Sequence, residues 1–318
     1  MIHRMAESIY VLFILQTIAL SLPIAFAALG ELITERSGVI NLGTEGMMLM
    51  GSFAGFSLGF VFKDAWYGLG FSIVVGALMG ILMGVLCITL KIDQIVAGLG
   101  VFFFGLGLSA FLYRAQFGIA AGLPSIRGFQ NIQIPFLSQL PVVGPLIFGQ
   151  DPLFYISIIV LVATTLLLDK TMVGLKIRAC GENPAAADTL GVSVTRIRYL
   201  ALIIGGILAS VGGAAFVIET HVFQENLTAG RGFIAVAMVY FGKWKPVRTF
   251  LGTLLFGGAF AILPYAQAGG ICVTSTTCIP SYIILMIPYL LTLVALIGVS
   301  RRAREPSALG APYRREAG

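Results

Sequence analysis

Charge is what this chain lacks most. Only 11% of its residues are Asp, Glu, Lys or Arg, against about 25% in soluble domains, so it cannot clothe a globular surface in polar groups. Histidine is nearly absent: His3 and His221 are the two. Two such distant residues cannot assemble a zinc hydrolase site, and no H-E-x-x-H spacing occurs. Nor does any G-x-x-x-x-G-K-[ST] phosphate loop, so the chain does not bind ATP in that way. Cysteine is limited to four residues. Cys87 and Cys180 stand alone, without C-x-x-C or Cys/His zinc spacing. Cys272 and Cys278 share one loop, where they can pair in an oxidising compartment or remain two free thiols. This inventory calls for no cofactor, and it supplies no activated nucleophile.

Apolar sequence is what the chain has. Hydrophobic residues make up 58% and the mean hydropathy is +0.97. Apolar runs of the ~20 residues needed to cross a bilayer recur from Ile9 to Ser300. The pattern predicts an all-α, polytopic transmembrane bundle of about nine segments, near 9–30, 39–62, 66–90, 94–113, 152–169, 199–222, 232–242, 249–265 and 281–300. Residues 1–300 then form one membrane domain, and 301–318 read as a solvated tail. The first segment is too long for a signal-peptide core and is expected to be retained.

Basic residues set the orientation. With the polar loop 170–198 in the cytoplasm, fifteen of the 20 Lys and Arg fall inside, and Arg4, Lys63, Arg114, Arg127 and Arg231 stay outside. The N-terminus is then external and the C-terminus internal. The net charge of +6 reflects loops facing anionic membrane lipid, with no call for nucleic acid. The proline-rich stretch 114–151 becomes the largest external loop, either a docking place for a delivering partner or a packed lid.

Polar residues inside apolar segments carry the functional signal. The second segment is interrupted by the run from Ser37 to Gly46, with three glycines among its polar groups. Asn41, Thr44 and Glu45, at i, i+3 and i+4, share one face if helical and are expected to line an aqueous path. The alternative is that Glu45 pairs with Arg36 or caps a broken helix. Glu31, Glu35 and Arg36 are expected as an ion-pair cluster at the inner mouth. NLGTEGMMLM and NLTAGRGFIAVAM both open on Asn-Leu, close to glycine, and occupy comparable places in two halves. That pairing is a pointer to a pseudo-symmetric pore. In the 170–198 loop, Asn183 suits an N-cap and Pro184 the first helical position. Ala185, Ala186 and Ala187 propagate a short helix, and Gly191 can end it. Such a helix on a basic loop looks built to touch another protein.

Three blocks resemble one known family. ERSGVINLGTEGMMLMGSFAG (35–55), GENPAAADTLGVSVTRIRYLALIIGGILASVGGAAF (181–216) and GRGFIAVAMVYFGKWKP (230–246) are similar to permease subunits of bacterial ABC importers for ribose, branched-chain amino acids and nucleosides. The resemblance implies a multi-pass subunit of the cell membrane that is not itself an enzyme. Its partners would be an ABC ATPase, a second permease and an extracytoplasmic solute-binding protein. Carried over by position, Glu182, Asn183, Pro184, Ala185, Ala186 and Ala187 would form the helix that fits the ATPase. Asn41, Thr44 and Glu45 would fall in the pore-lining block. Ribose-type permeases show G-I-D-L-S-V-G where this chain has Gly38-Val39-Ile40-Asn41-Leu42-Gly43, and the missing acid favours the nucleoside branch. The rival reading is an ion-coupled secondary transporter with its ion site on Glu45.

Overall fold

The computed structural model describes residues 2–118, 124–132, 144–269, 272–274, 277–278, 286–287, 289–291, 293–294 and 304–313. Nearly all are helical. Six helices carry stretches long and apolar enough to cross a membrane. They are α1 (Ile2–Arg36), α2 (Thr44–Phe62), α3 (Ala65–Gly84), α4 (Gln94–Phe117), α5 (Pro152–Lys170) and α8 (Val194–Thr220). A π-helical turn, Val85–Thr89, prolongs α3. Short helices α6 (Met172–Glu182) and α7 (Pro184–Thr189) separate α5 from α8, and α9 (Arg231–Phe241) and α10 (Pro246–Gly269) follow. A small antiparallel ribbon pairs β1 (Cys272–Thr274) with β2 (Thr277–Cys278), its backbone register setting Cys272 opposite Cys278.

The first eight predicted segments each coincide with a helix, and the ninth, 281–300, lies mostly outside the described residues. Aspartates fix several helix starts. Asp64 accepts the Trp66 N–H, Asp93 accepts those of Ile95 and Val96, and Asp151 accepts that of Phe154 just before the N1 proline Pro152. Each satisfies donors that the first helical turn leaves free.

The bundle is organised around α8, which packs against α1, α2 and α3. Its inner face carries Gly205, Gly206, Ala209, Ser210, Gly212 and Gly213, all buried. Lipid supplies little hydrophobic force between helices, so close backbone approach and interhelical hydrogen bonds must hold them together. Gly213 shows the principle: a methyl group there would collide with the Met48 carbonyl of α2. The same contact is bonded from both sides, by Ser52 Oγ donating to the Gly213 carbonyl at 2.8 Å and Ser210 Oγ to the Met47 carbonyl at 3.1 Å. The outer faces of α3, α4 and α5 instead expose Leu78, Phe103, Phe111 and Ile159, as a lipid-facing surface requires.

Candidate functional site: a buried polar junction and its link to the α6–α7 surface

α1 ends at Arg36, and Gly38, at φ +90°, turns the chain back along it. A left-handed φ of this kind is open to glycine at no steric cost. Residues 39–43 then lie outside any helix until α2 begins at Thr44. The freed backbone is satisfied by side chains. Asn41 N–H donates to Glu31 Oε1 at 2.9 Å, Ile40 N–H to Gln94 Oε1 at 2.8 Å, and Gly43 N–H to Asn41 Oδ1 at 3.1 Å. Thr44 Oγ1 donates to Glu31 Oε2 at 2.9 Å and also approaches the Asn41 carbonyl at 2.8 Å. Asn41 therefore precedes the helix and does not share a helical face with Thr44 and Glu45. What the three do share is burial, each being about 1% exposed.

Glu45, in the first turn of α2, reaches across to a second break. The chain leaves α8 at His221 and passes through a non-helical stretch, with Asn226 and Ala229 at positive φ, before α9 starts. Glu45 Oε1 accepts from Thr228 Oγ1 at 2.6 Å and from Gly230 N–H at 2.7 Å, while Oε2 accepts from Gly232 N–H at 2.5 Å. A carboxylate on free N–H groups at a helix N-terminus is favoured by both hydrogen bonding and the helix dipole. The two Asn-Leu segments thus meet, and the capping alternative for Glu45 is what the geometry displays.

Arg231, counted on the outer side from the charge pattern, belongs to this junction. Its guanidinium lies 4.2 Å from the ring centre of Phe216 and 4.4 Å from that of Phe260, and it donates to the Thr228 carbonyl at 3.2 Å. Two aromatic faces replace part of the water a cation would otherwise need. Sequence reasoning missed its role because a basic residue at a segment edge reads as loop.

The acids at the end of α1 do not form the expected ion-pair cluster. Glu31 holds the break, and Glu35 Oε2 accepts from the Trp244 indole at 2.6 Å. Arg36 donates twice to the Trp244 carbonyl, at 3.1 and 2.8 Å. Trp244 lies just beyond α9 and is fully buried. Lys243 and Trp244 both have positive φ, so these bonds hold a turn that L-residues rarely adopt.

The predicted short helix is present as α7. Asn183 Oδ1 caps it by accepting from Ala186 N–H at 3.0 Å, Pro184 occupies the first turn, and Gly191 follows the end at φ +82°. Glu182, Asn183, Ala185 and Ala186 are exposed, Pro184 is half-buried, and Leu190 is 84% exposed. Ala187 turns inward against Cys180 and Val194. The preceding helix α6 was not anticipated. It is capped by Thr171 and leaves Met172 and Leu175 exposed.

Residues 304–313, expected as solvated tail, lie against this unit. Ala308 N–H donates to the Gly181 carbonyl at 2.8 Å, Gly310 N–H to the Gly38 carbonyl at 3.2 Å, and Ser307 Oγ to Glu182 at 3.1 Å. Arg198, at the start of α8, donates to the Ser37 carbonyl at 3.2 Å and to the Ala311 carbonyl at 3.0 Å. Leu309 packs near Trp244, and Tyr313 near Cys180. The tail thereby touches both the α6–α7 unit and the turn that opens the first break.

Known proteins resemble this chain over most of its length. The family profile described as branched-chain amino acid transport system, permease component, matches residues 13–296. The guanosine ABC transporter permease protein NupQ of Bacillus subtilis is 33% identical, over 93% of this chain and 94% of its own. The nucleoside ABC transporter permease protein NupC of Lactococcus lactis is 35% identical, over 92% and 93%. The putative glucose ABC transporter permease protein TsgC13 of Haloferax volcanii is 36% identical, over 94% and 96%. No solved structure matches.

Two outcomes are expected from this geometry. Glu45→Gln sets an NH2 donor against one of the two backbone N–H donors, Gly230 or Gly232, so thermal or denaturant unfolding of the purified chain should show a loss of about 1–3 kcal/mol, the usual cost of an unpaired buried donor. Glu45→Asp should recover part of it, and an unchanged Glu45→Gln protein would refute the capping role. Burial pushes the Cys180 thiol above its ordinary pKa, with Arg198 pulling weakly the other way. In a background with Cys87, Cys272 and Cys278 all replaced by alanine, maleimide should therefore label Cys180 slowly, and truncation before residue 304 should speed labelling by about tenfold as the thiol is uncovered.

Proposed function

The chain belongs to the permease-component family of branched-chain amino acid transport systems, and on that premise we propose that it is the membrane subunit of an ATP-driven importer for a nucleoside. It is an integral membrane ABC permease component, and the finer reading concerns cargo, partners and coupling. The guanosine and nucleoside permeases among its relatives support the cargo. The glucose permease of Haloferax volcanii supports a sugar as second reading. Competition of labelled guanosine uptake by unlabelled nucleosides and by glucose separates them.

The observation that carries the coupling role is the capped, outward-facing α7 fastened to the break before α2. An ABC ATPase grips Glu182–Ala187 from the cytoplasm. ATP binding draws the ATPase pair together, and α7 moves with it. The motion passes through Gly181 and residues 304–313 to Gly38, and so to Asn41, Thr44 and Glu45 beside the solute path. Glu45 carries the start of α9 along with α2, so the two breaks move as one. The free energy comes from the differential affinity of ATP for the two states. A solute-binding protein delivers cargo at the opposite face, and selectivity resides mostly there. Lactococcus lactis NupB and NupC, 25% and 35% identical to this chain, support a second permease that is related but different.

The test of coupling replaces Asn183 and Pro184 together by glycine. ATPase capture and nucleoside uptake by the reconstituted complex should both fall. Normal values for both would sink the reading. Uptake that collapses with a protonophore while ATP stays high would instead favour an ion-coupled carrier. On the external side, the ribbon register supports a disulfide between Cys272 and Cys278. Intact mass before and after reductant should differ by two hydrogens, and an unchanged mass would leave both thiols free.

A further inference from the structure

We propose that a cavity at the end of the bundle where α1 finishes is a headgroup site for an anionic phospholipid. The cavity holds about 510 Å³ between α1, α5, α6 and the start of α10. Arg36, Arg178, Lys245 and Arg248 line it, with Asp169 as the acid among the lining residues. This excess of positive charge is not consumed internally. Arg36 spends Nε and one terminal nitrogen on the Trp244 carbonyl. Arg178 Nε is buried and without a hydrogen-bond partner among the described residues. Lys245 and Arg248 are exposed. The first turn of α10, opened by Pro246, also lines the cavity and adds the positive end of a long helix.

The walls decide between a free anion and a lipid. Beyond Asp169, α5 continues as an exposed apolar stripe, Leu166, Val162 and Ile159. These positions fall three, seven and ten residues back, on one helical face. Val247 on the cavity wall continues along α10 through exposed Leu251 and Leu255, at i+4 and i+8. Each stripe begins at the basic cavity and runs away from it along a membrane helix. A phosphate headgroup would be held by Arg178, Lys245 and Arg248, with its acyl chains lying on the stripes. Inorganic phosphate would gain nothing from such walls, and a zwitterionic headgroup would bring its own cation into a cavity already rich in them. Basic cavities between membrane helices are established seats for acidic lipid headgroups.

The site makes no demand on transport, so its test uses the full chain alone in detergent, without ATPase. Native mass spectrometry is run with phosphatidylglycerol, phosphatidylcholine, or glycerol phosphate at matched concentration. A retained phosphatidylglycerol adduct is expected, with phosphatidylcholine bound far more weakly. Lys245→Gln/Arg248→Gln, which changes only exposed side chains, should cut phosphatidylglycerol occupancy by about tenfold. Arg178→Gln should do the same if its thermal unfolding midpoint is unchanged. Equal retention of the two lipids would overturn the proposal, as would undiminished binding by the double variant. Glycerol phosphate binding as well as the lipid would assign the cavity to a free anion.

Discussion

A peptide group that leaves its helix inside an apolar bundle has no water to turn to, so its hydrogen bonds must come from the protein. Everything at the centre of this structure answers that constraint. The chain breaks before α2 and again before α9, and each break is met by a glutamate from another segment. Glu31 on α1 takes the Asn41 N–H and the Thr44 hydroxyl, and Glu45 on α2 takes two N–H groups and a hydroxyl at the start of α9. A buried charge is costly in this setting. Several donors converging on one carboxylate, with a helix N-terminus behind them, offset that cost.

Close packing makes the breaks possible. Because α8 presents glycine, alanine and serine to α1, α2 and α3, the backbones approach closely enough for the side-chain hydroxyls of Ser52 and Ser210 to bond neighbouring carbonyls. α2 is thus clamped along one side by α8, while its first turn holds α9. α9 has only 11 residues, too few to span a bilayer of about 30 Å hydrocarbon thickness. It remains in the bundle because its ends are held, by Glu45 at the start and by the Trp244 turn at the finish.

The parts of this arrangement governed by neighbouring residues were readable in the sequence. α7 is the clearest, since an N-cap, an N1 proline and a C-terminal glycine act within one helix and owe nothing to tertiary contacts. Helix existence was similarly legible from apolar runs. The polar junction was not, because its bonds join residues far apart in the chain. Glu45 was singled out for its burial, yet its partners at 228–232 carry no local mark that a carboxylate will reach them. Asn41 was placed on a helical face only by assuming that the helix began before it. α6 was overlooked because its basic residues and glycines mask a short amphipathic repeat. Arg231 reads only as an outer-side cation, because nothing local marks the two phenylalanine rings around it.

The tail 304–313 shows why composition alone misleads at a chain end. Its charge and prolines suit solvated backbone, but three of its backbone groups bond to fixed places. Ala308 meets Gly181, Gly310 meets Gly38, and Ala311 meets Arg198. Arg198 in turn holds Ser37, so the end of α6, the start of α8 and the turn after α1 are tied through one short strap. Bonds to main chain resist displacement in a way that mobile surface ion pairs do not. On the proposed coupling role, a push on α7 would reach Gly38, where the backbone is already turned, more readily than the helices packed around α8. If an ATPase grips α7, the first break is the nearest element that can yield, and Glu45 extends that movement to the second.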